Sequence, residues 1–169
     1  MRGFSPWGML SPVRHLHMQI GIISDTHNLL RPEALTALAG VDRILHAGDV
    51  GNPDILTTLA QIAPVTAIRG NTDTHGPTAL LPATEAIYLG GHLFYLIHSL
   101  DDLDLHPHAA GIACVISGHT HKAAIHRDNG VLYLNSGSAG PRRFNLPITL
   151  ARITISDGTL HPEIITLPI

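Results

Sequence analysis

Five short segments of this 169-residue chain gather residue types that bind cations and move protons. They read Ser24-Asp25-Thr26-His27, Gly48-Asp49, Gly70-Asn71-Thr72-Asp73, His98-Ser99 and Gly118-His119-Thr120-His121. Residues i and i+2 of an extended segment point to one side. Asp25 and His27 can therefore converge on one ion. His119 and His121 can do the same with two imidazoles, which suit borderline metals. Asp49 follows a glycine that lets the backbone turn sharply, leaving both its oxygens free to bridge two ions. Asn71 offers a neutral amide oxygen. Each segment alone has an ordinary explanation as an Asx turn, a turn dipeptide or a buried histidine. Histidine, a common neutral metal ligand, occurs 13 times in the chain, so position rather than abundance must decide. What singles out the five segments is that each follows a predicted strand.

Those strands need a scaffold that brings their ends together. Residues 18–24, 42–47 and 65–69 are short apolar runs that read as buried strands. Residues 32–39 and 53–62 read as helices, with Pro32 and Pro53 in their first turns, Gly40 stopping the first and Asn52 capping the second. Alternating strands and helices imply right-handed crossovers and a parallel sheet, with ligands bound beyond the strands' carboxyl ends. The second half of the chain changes character. Strand pairs 84–89/92–98, 122–127/131–135 and 147–155/160–167 flank Gly90-Gly91, Asp128-Asn129-Gly130 and Asp157-Gly158, which are hairpin signals. Residues 112–117 read as a further buried strand and 103–110 as a short helix. So many strands exceed one sheet covered by two helices. The expected fold class is α/β, a four-layer α-β-β-α sandwich of two packed mixed sheets with outer helices. It would form a single domain over residues 18–169, with residues 1–17 a disordered N-terminal extension.

Composition excludes several function classes. The net charge is −3 and aromatics make up 4% of residues, so neither a basic stripe nor a stacking platform for nucleic acid is evident. No apolar run approaches the roughly 18 residues that span a bilayer. The single cysteine, Cys114, allows no internal disulfide and no cysteine-based zinc site. It fits a reducing compartment, and the cytoplasm is the expected location.

The order D-x-H, G-D, G-N, H, G-H-x-H resembles the calcineurin-like metallophosphoesterases over nearly the whole chain from Met18 to Leu167. It looks most like their small single-domain bacterial and archaeal phosphodiesterase branch. The Asn135-Ser136-Gly137-Ser138 segment resembles that branch's N-P-G-S loop, with Ser136 in place of Pro. The resemblance implies two divalent metal ions, manganese foremost, with zinc, iron, cobalt or nickel also suited to the donors. Asp25, His27, Asp49 and His121 would hold one ion. Asp49, Asn71, His98 and His119 would hold the other, with Asp49 bridging. The implied activity is a metal-dependent phosphoric ester hydrolase, a phosphodiesterase first, in which a hydroxide bridging the ions attacks phosphorus in line. Asp49, Asn71, His98 and Asp73 are the candidate catalytic groups. Asn71, Arg142 and Arg143 are the candidate contacts to a small-molecule phosphate ester. His46, Asp73 and His75 are expected to support the site from behind, with Asp73 orienting His27 or His98.

Two departures from the family pattern matter. Thr72 stands where larger members carry a leaving-group acid, which favours leaving groups of low pKa. Ser99 follows His98 where the family often has glycine. Two alternatives stay open: a phosphomonoesterase acting on a small metabolite or nucleotide, and a non-catalytic metal-binding scaffold of the same fold. A homodimer or homotetramer is carried over from the resemblance alone.

Overall fold

The structure is a computed structural model, and it describes residues 17–169. The expectation of a disordered extension therefore lies outside the described residues, except for His17. Two five-stranded mixed sheets pack face to face. The first has the order β10-β9-β1-β2-β3 and uses β1 (Met18–Ile23), β2 (Arg43–His46), β3 (Val65–Ala67), β9 (Thr149–Ser156) and β10 (Thr159–Thr166). The second has the order β4-β5-β6-β8-β7 and uses β4 (Thr84–Leu89), β5 (His92–Ile97), β6 (Ile112–Ser117), β7 (Ala124–Asp128) and β8 (Val131–Asn135). In each sheet three neighbouring strands run parallel: β1, β2 and β3 in one, β5, β6 and β8 in the other. Their carboxyl ends meet at one edge of the sandwich.

The alternation of side chains along each strand explains the layering. Ile20 and Ile22 of β1 face the second sheet and pack in one buried cluster with Leu45, Phe94, Leu96, Ile116, Leu132 and Ile153. Ile23 faces the other way, toward helices α1 (Pro32–Ala37) and α2 (Asp54–Ala60), whose neighbourhood contributes Leu38, Ile55 and Leu59 to a second buried cluster. Each such side chain taken from water contributes about 2 kcal/mol. All three hairpin turns have positive φ at both central residues: Gly90 and Gly91, Asn129 and Gly130, Asp157 and Gly158. That is the turn geometry matching the right-handed strand twist.

The helix expected over residues 103–110 does not form. That stretch runs as turns after a short 3-10 segment, Leu100–Asp102. It still does a helix's packing work, because Leu103 and Leu105 lie on a small apolar cluster with Ile97, Val115 and Val131 on the outer face of the second sheet. Apolar residues at positions 103 and 105 cover a sheet without completing one helical turn. The α2 start is also later than expected, although Asn52 Oδ1 accepts the Asp54 N–H at 2.9 Å as a cap should. Another 3-10 segment, Pro77–Leu80, had no clear sequence signal.

Candidate metal centre

Every functional segment leaves the C-terminal end of a strand at the shared edge. Ser24-Asp25 follows β1, Gly48-Asp49 follows β2, Gly70-Asn71 follows β3, His98 follows β5 and Gly118-His119 follows β6. The segments are tied to one another by backbone hydrogen bonds. Asp25 N–H donates to Gly48 O at 3.0 Å, His27 N–H to Asp49 O at 3.0 Å, and Gly118 N–H to His98 O at 3.0 Å.

Convergence does not come from extended backbone, as the i, i+2 spacing suggested. Asp25, His27, Asp49, His119 and His121 all have positive φ, between 43° and 70°. Such left-handed residues cost free energy and concentrate at functional sites. They fold each segment back so that its polar atoms point inward. Two glycines permit the close approach. A Cβ on Gly70 would overlap the Asp49 carboxylate, and one on Gly118 would overlap Ser24 Oγ and Asp25 Oδ2.

Asp25, Asp49, His98 and His121 are buried, and their polar atoms crowd one space. Asp25 Oδ2 accepts hydrogen bonds from Ser24 Oγ at 2.6 Å and His119 N at 3.1 Å. Asp25 Oδ1 accepts none, although it is buried. It lies 3.2 Å from His121 Nε2, 3.7 Å from His27 Nε2 and 4.0 Å from His98 Nε2. Asp49 Oδ1 accepts the Thr72 N–H at 2.8 Å. Its Oδ2 lies 3.2 Å from His98 Nε2 and 3.6 Å from His27 Nε2. His27 Nε2 and His121 Nε2 face each other at 3.3 Å. Asn71 Oδ1 sits 3.1 Å from His98 Nε2 and 3.0 Å from His119 Nδ1. Two overlapping groups could each hold an ion: Asp25, His27 and His121, and Asp25, Asp49 and His98. Asp25 thus reaches both groups, as Asp49 Oδ2 does by distance.

The electrostatics agree with a site built for cations. Burial pushes the Asp25 carboxyl up, but His121, His27 and Ser24 outweigh it and hold the acid well below the usual carboxylate range. Asp49 is likewise lowered, against burial, by His98 and the Thr72 N–H. His98 is raised, against burial, by Asp49 and the Ala47 carbonyl. Its Nδ1–H donates to Ala47 O at 2.7 Å. That bond fixes the ring and aims Nε2 at Asn71 Oδ1. Two acceptors facing at 3.1 Å are favourable only with a proton or a cation between them. The donor set of carboxylate, amide oxygen and imidazole fits divalent transition metals, and the unpartnered Asp25 Oδ1 is the atom such an ion would satisfy.

The supporting residues divide. His46 is fully buried, and burial pulls it down to about 4 despite the nearby Asp25 and Asp73 carboxylates. It accepts the Gly48 N–H on Nδ1 at 3.2 Å, so Nε2–H donates to Thr26 Oγ1 at 3.0 Å, which donates in turn to Val50 O at 2.9 Å. Asp73 does not orient a histidine. Its two oxygens accept the N–H groups of Gly70 at 2.8 Å, Gly51 at 2.9 Å and Val50 at 3.1 Å, so it pins the loop carrying Asn71 to the loop carrying Asp49. His75 is exposed and its Nδ1 bonds to Thr74 O at 2.6 Å. Arg142 and Arg143 are exposed, and Arg142 Nη1 donates to Leu146 O at 3.0 Å.

Three residues inside segments the sequence singled out, with no role given there, turn out to position the site. Asn135 Nδ2 donates to Gly118 O at 2.7 Å and Thr120 Oγ1 at 3.1 Å, holding the turn that presents His119 and His121. Ser138 Oγ donates to Asp25 O at 2.9 Å. Ser24 fixes Asp25 Oδ2. The signals were the resemblance of Asn135-Ser136-Gly137-Ser138 to the N-P-G-S loop and the place of Asn135 at the end of β8.

Residues 18–158 match the calcineurin-like phosphoesterase superfamily domain. A protein named probable metallophosphoesterase from Methanothermobacter thermautotrophicus is 36% identical over 168 residues, covering 88% of this chain and 92% of that protein. The chain belongs to the calcineurin-like phosphoesterase superfamily, and that membership supports a metal-dependent phosphoester hydrolase. The fold is shared with a structurally characterised archaeal phosphodiesterase, at a TM-score of 0.72 and 21% identity over 88% of this chain and 100% of that one. It is shared also with zinc-bound Vps29 from Entamoeba histolytica, at a TM-score of 0.66 and 22% identity over 88% and 99%. Among the described residues no helix is long and apolar enough to cross a membrane.

Proposed function

We propose that the chain is a dinuclear-metal phosphodiesterase. Asp25, His27, His121 and Asp49 would hold one divalent ion. Asp49, His98, Asn71 and His119 would hold the other. The observation that carries the reading is Asp25 Oδ1, a buried carboxylate oxygen with no hydrogen bond and three imidazole nitrogens within 4.0 Å. Two bound ions would lower the pKa of water to near neutrality and offset the charge of the phosphate oxygens.

The chain's own contribution is positional. Ala47 O fixes His98, Thr72 N–H fixes Asp49, and Ser24 and the His119 N–H fix Asp25. Preorganised groups of this kind need no rearrangement when charge develops. No side chain on the Asn71 loop is poised as a leaving-group acid. Asp73 is spent on three backbone donors, position 72 is threonine, and His75 is bonded to its neighbour's carbonyl. Activated diesters, whose leaving groups depart without a proton, are therefore the expected substrates.

The test is hydrolysis of bis(p-nitrophenyl) phosphate by protein loaded with manganese or zinc. Wild type should turn over, and Asp49→Asn should lower kcat roughly 10²-fold or more, the scale of losing one preorganised electrostatic group. Undiminished metal-dependent turnover in that variant would contradict the assignment of Asp49.

A further inference from the structure

Two hollows of about 410 Å³ lie beside residues of the candidate centre or their chain neighbours. One opens directly on Asn71 and His98 and is walled by Tyr95, Asp102 and Asp104. The other begins at Thr120 and Lys122, the residues bracketing His121, and is closed by Phe144, Asn145 and Leu146. Phe144 is 90% exposed and has φ +51°. An aromatic ring left in water forgoes its burial energy, and the positive φ adds a backbone cost. Yet the segment bearing it is not loose. Its stem is bonded to the site, with Ala139 N–H donating to Ser24 O and Ser138 Oγ to Asp25 O. Its base is closed by Arg142 Nη1 and Leu146 N–H, which donate to Leu146 O and Arg143 O. The ring is thus held out at the rim by a turn rooted on Asp25.

We infer that Phe144 is a specificity residue that stacks on a flat aromatic or heteroaromatic arm of a phosphodiester, the arm that stays on phosphorus after cleavage. The inference rests on the phosphodiesterase reading and deepens it. A phosphate with two substituents needs a place for each, and the site has two. The departing arm is assigned to the hollow at Asn71 and His98, and the retained arm to the one beside Phe144. Lys122 lines the same hollow and gives it a positive charge. Arg142, engaged with Leu146, is left as a loop closure rather than a phosphate ligand.

The experiment compares bis(p-nitrophenyl) phosphate with methyl p-nitrophenyl phosphate, which release the same group but differ in the retained arm. In Phe144→Ala, kcat/KM for the bis-aryl ester should fall about 10-fold, the effect of losing one ring stack, while the methyl ester is unchanged. Phe144→Trp should keep the bis-aryl preference. Equal losses on both esters, or no loss on either, overturns the assignment. So does a change in sedimentation coefficient in Phe144→Ala, because the ring then serves a contact with a second copy of the chain. If wild type hydrolyses neither ester with any of the metals, the phosphodiesterase reading falls first and takes this inference with it.

Discussion

At the scale of single residues, hydrogen bonds to Asp25, Asp49 and His98 occupy one polar atom of each and leave the other for a cation. Thr72 N–H takes one Asp49 oxygen, Ser24 and His119 take one Asp25 oxygen, and Ala47 takes one His98 nitrogen. What remains points inward. His46 gives a separate prediction for metal-free protein. Its folded pKa, about 4, lies below the 6.5 of the free side chain. The unfolded chain therefore takes up a proton as pH falls through 6.5, and the folded chain resists until about 4. Stability is lost across that window, by about 3 kcal/mol from this group alone. Asp25 and Asp49, both lowered, add losses at lower pH, while His98, raised, opposes by contributing stability at low pH that disappears as pH rises. Urea midpoints measured from pH 7 to 4.5 should fall, and His46→Gln should flatten the slope. An unchanged slope would remove His46 from the account.

At the scale of elements, the spacing of the ligands was legible and their geometry was not. Asp25-x-His27 and His119-x-His121 announced two chelating pairs at strand ends, and the structure groups Asp25, His27 and His121 while the His119 ring meets Asn71 Oδ1. It does so through left-handed turns, which Asp and His adopt more readily than most residues but still in a small minority of cases, so their presence in a sequence does not announce one. Asp73 was misread for a similar reason. Its partners are backbone N–H groups of Val50, Gly51 and Gly70, and no side-chain pattern marks a loop whose donors lack acceptors. The apolar residues at 103 and 105 were read as helix because burial alone does not distinguish a helix from a draped loop. Asn135 tests the turn directly. Asn135→Ala should leave the fold intact but loosen the Gly118–Thr120 segment, weakening metal affinity about 10- to 100-fold, as removal of a group supporting a ligand does. Isothermal titration with manganese would measure it, and wild-type affinity would rule the role out.

At the scale of the molecule, two sheets packed through apolar side chains meet at one polar edge, where bonds such as His98 Nδ1–H to Ala47 O cross between them. Asp25, His27, Asp49 and Asn71 come from the first sheet, and His98, His119 and His121 from the second. A cation held by both would tie the sheets together. Metal at 1,000 times its Kd should stabilise the fold by about 4 kcal/mol, and chelation should remove that gain. Calorimetry with and without EDTA checks it, with a lower Tm expected after chelation. The sandwich itself was readable because its strands are short, apolar and bounded by turn residues. The shared edge follows once the strands run parallel.

The central claim is that seven side chains from two sheets hold a pair of metal ions. Anomalous diffraction from crystals soaked in manganese tests it most directly. The account predicts two peaks, one among Asp25, His27, Asp49 and His121 and one among Asp49, Asn71, His98 and His119. A single peak, or none at that edge while the protein is intact, would contradict it.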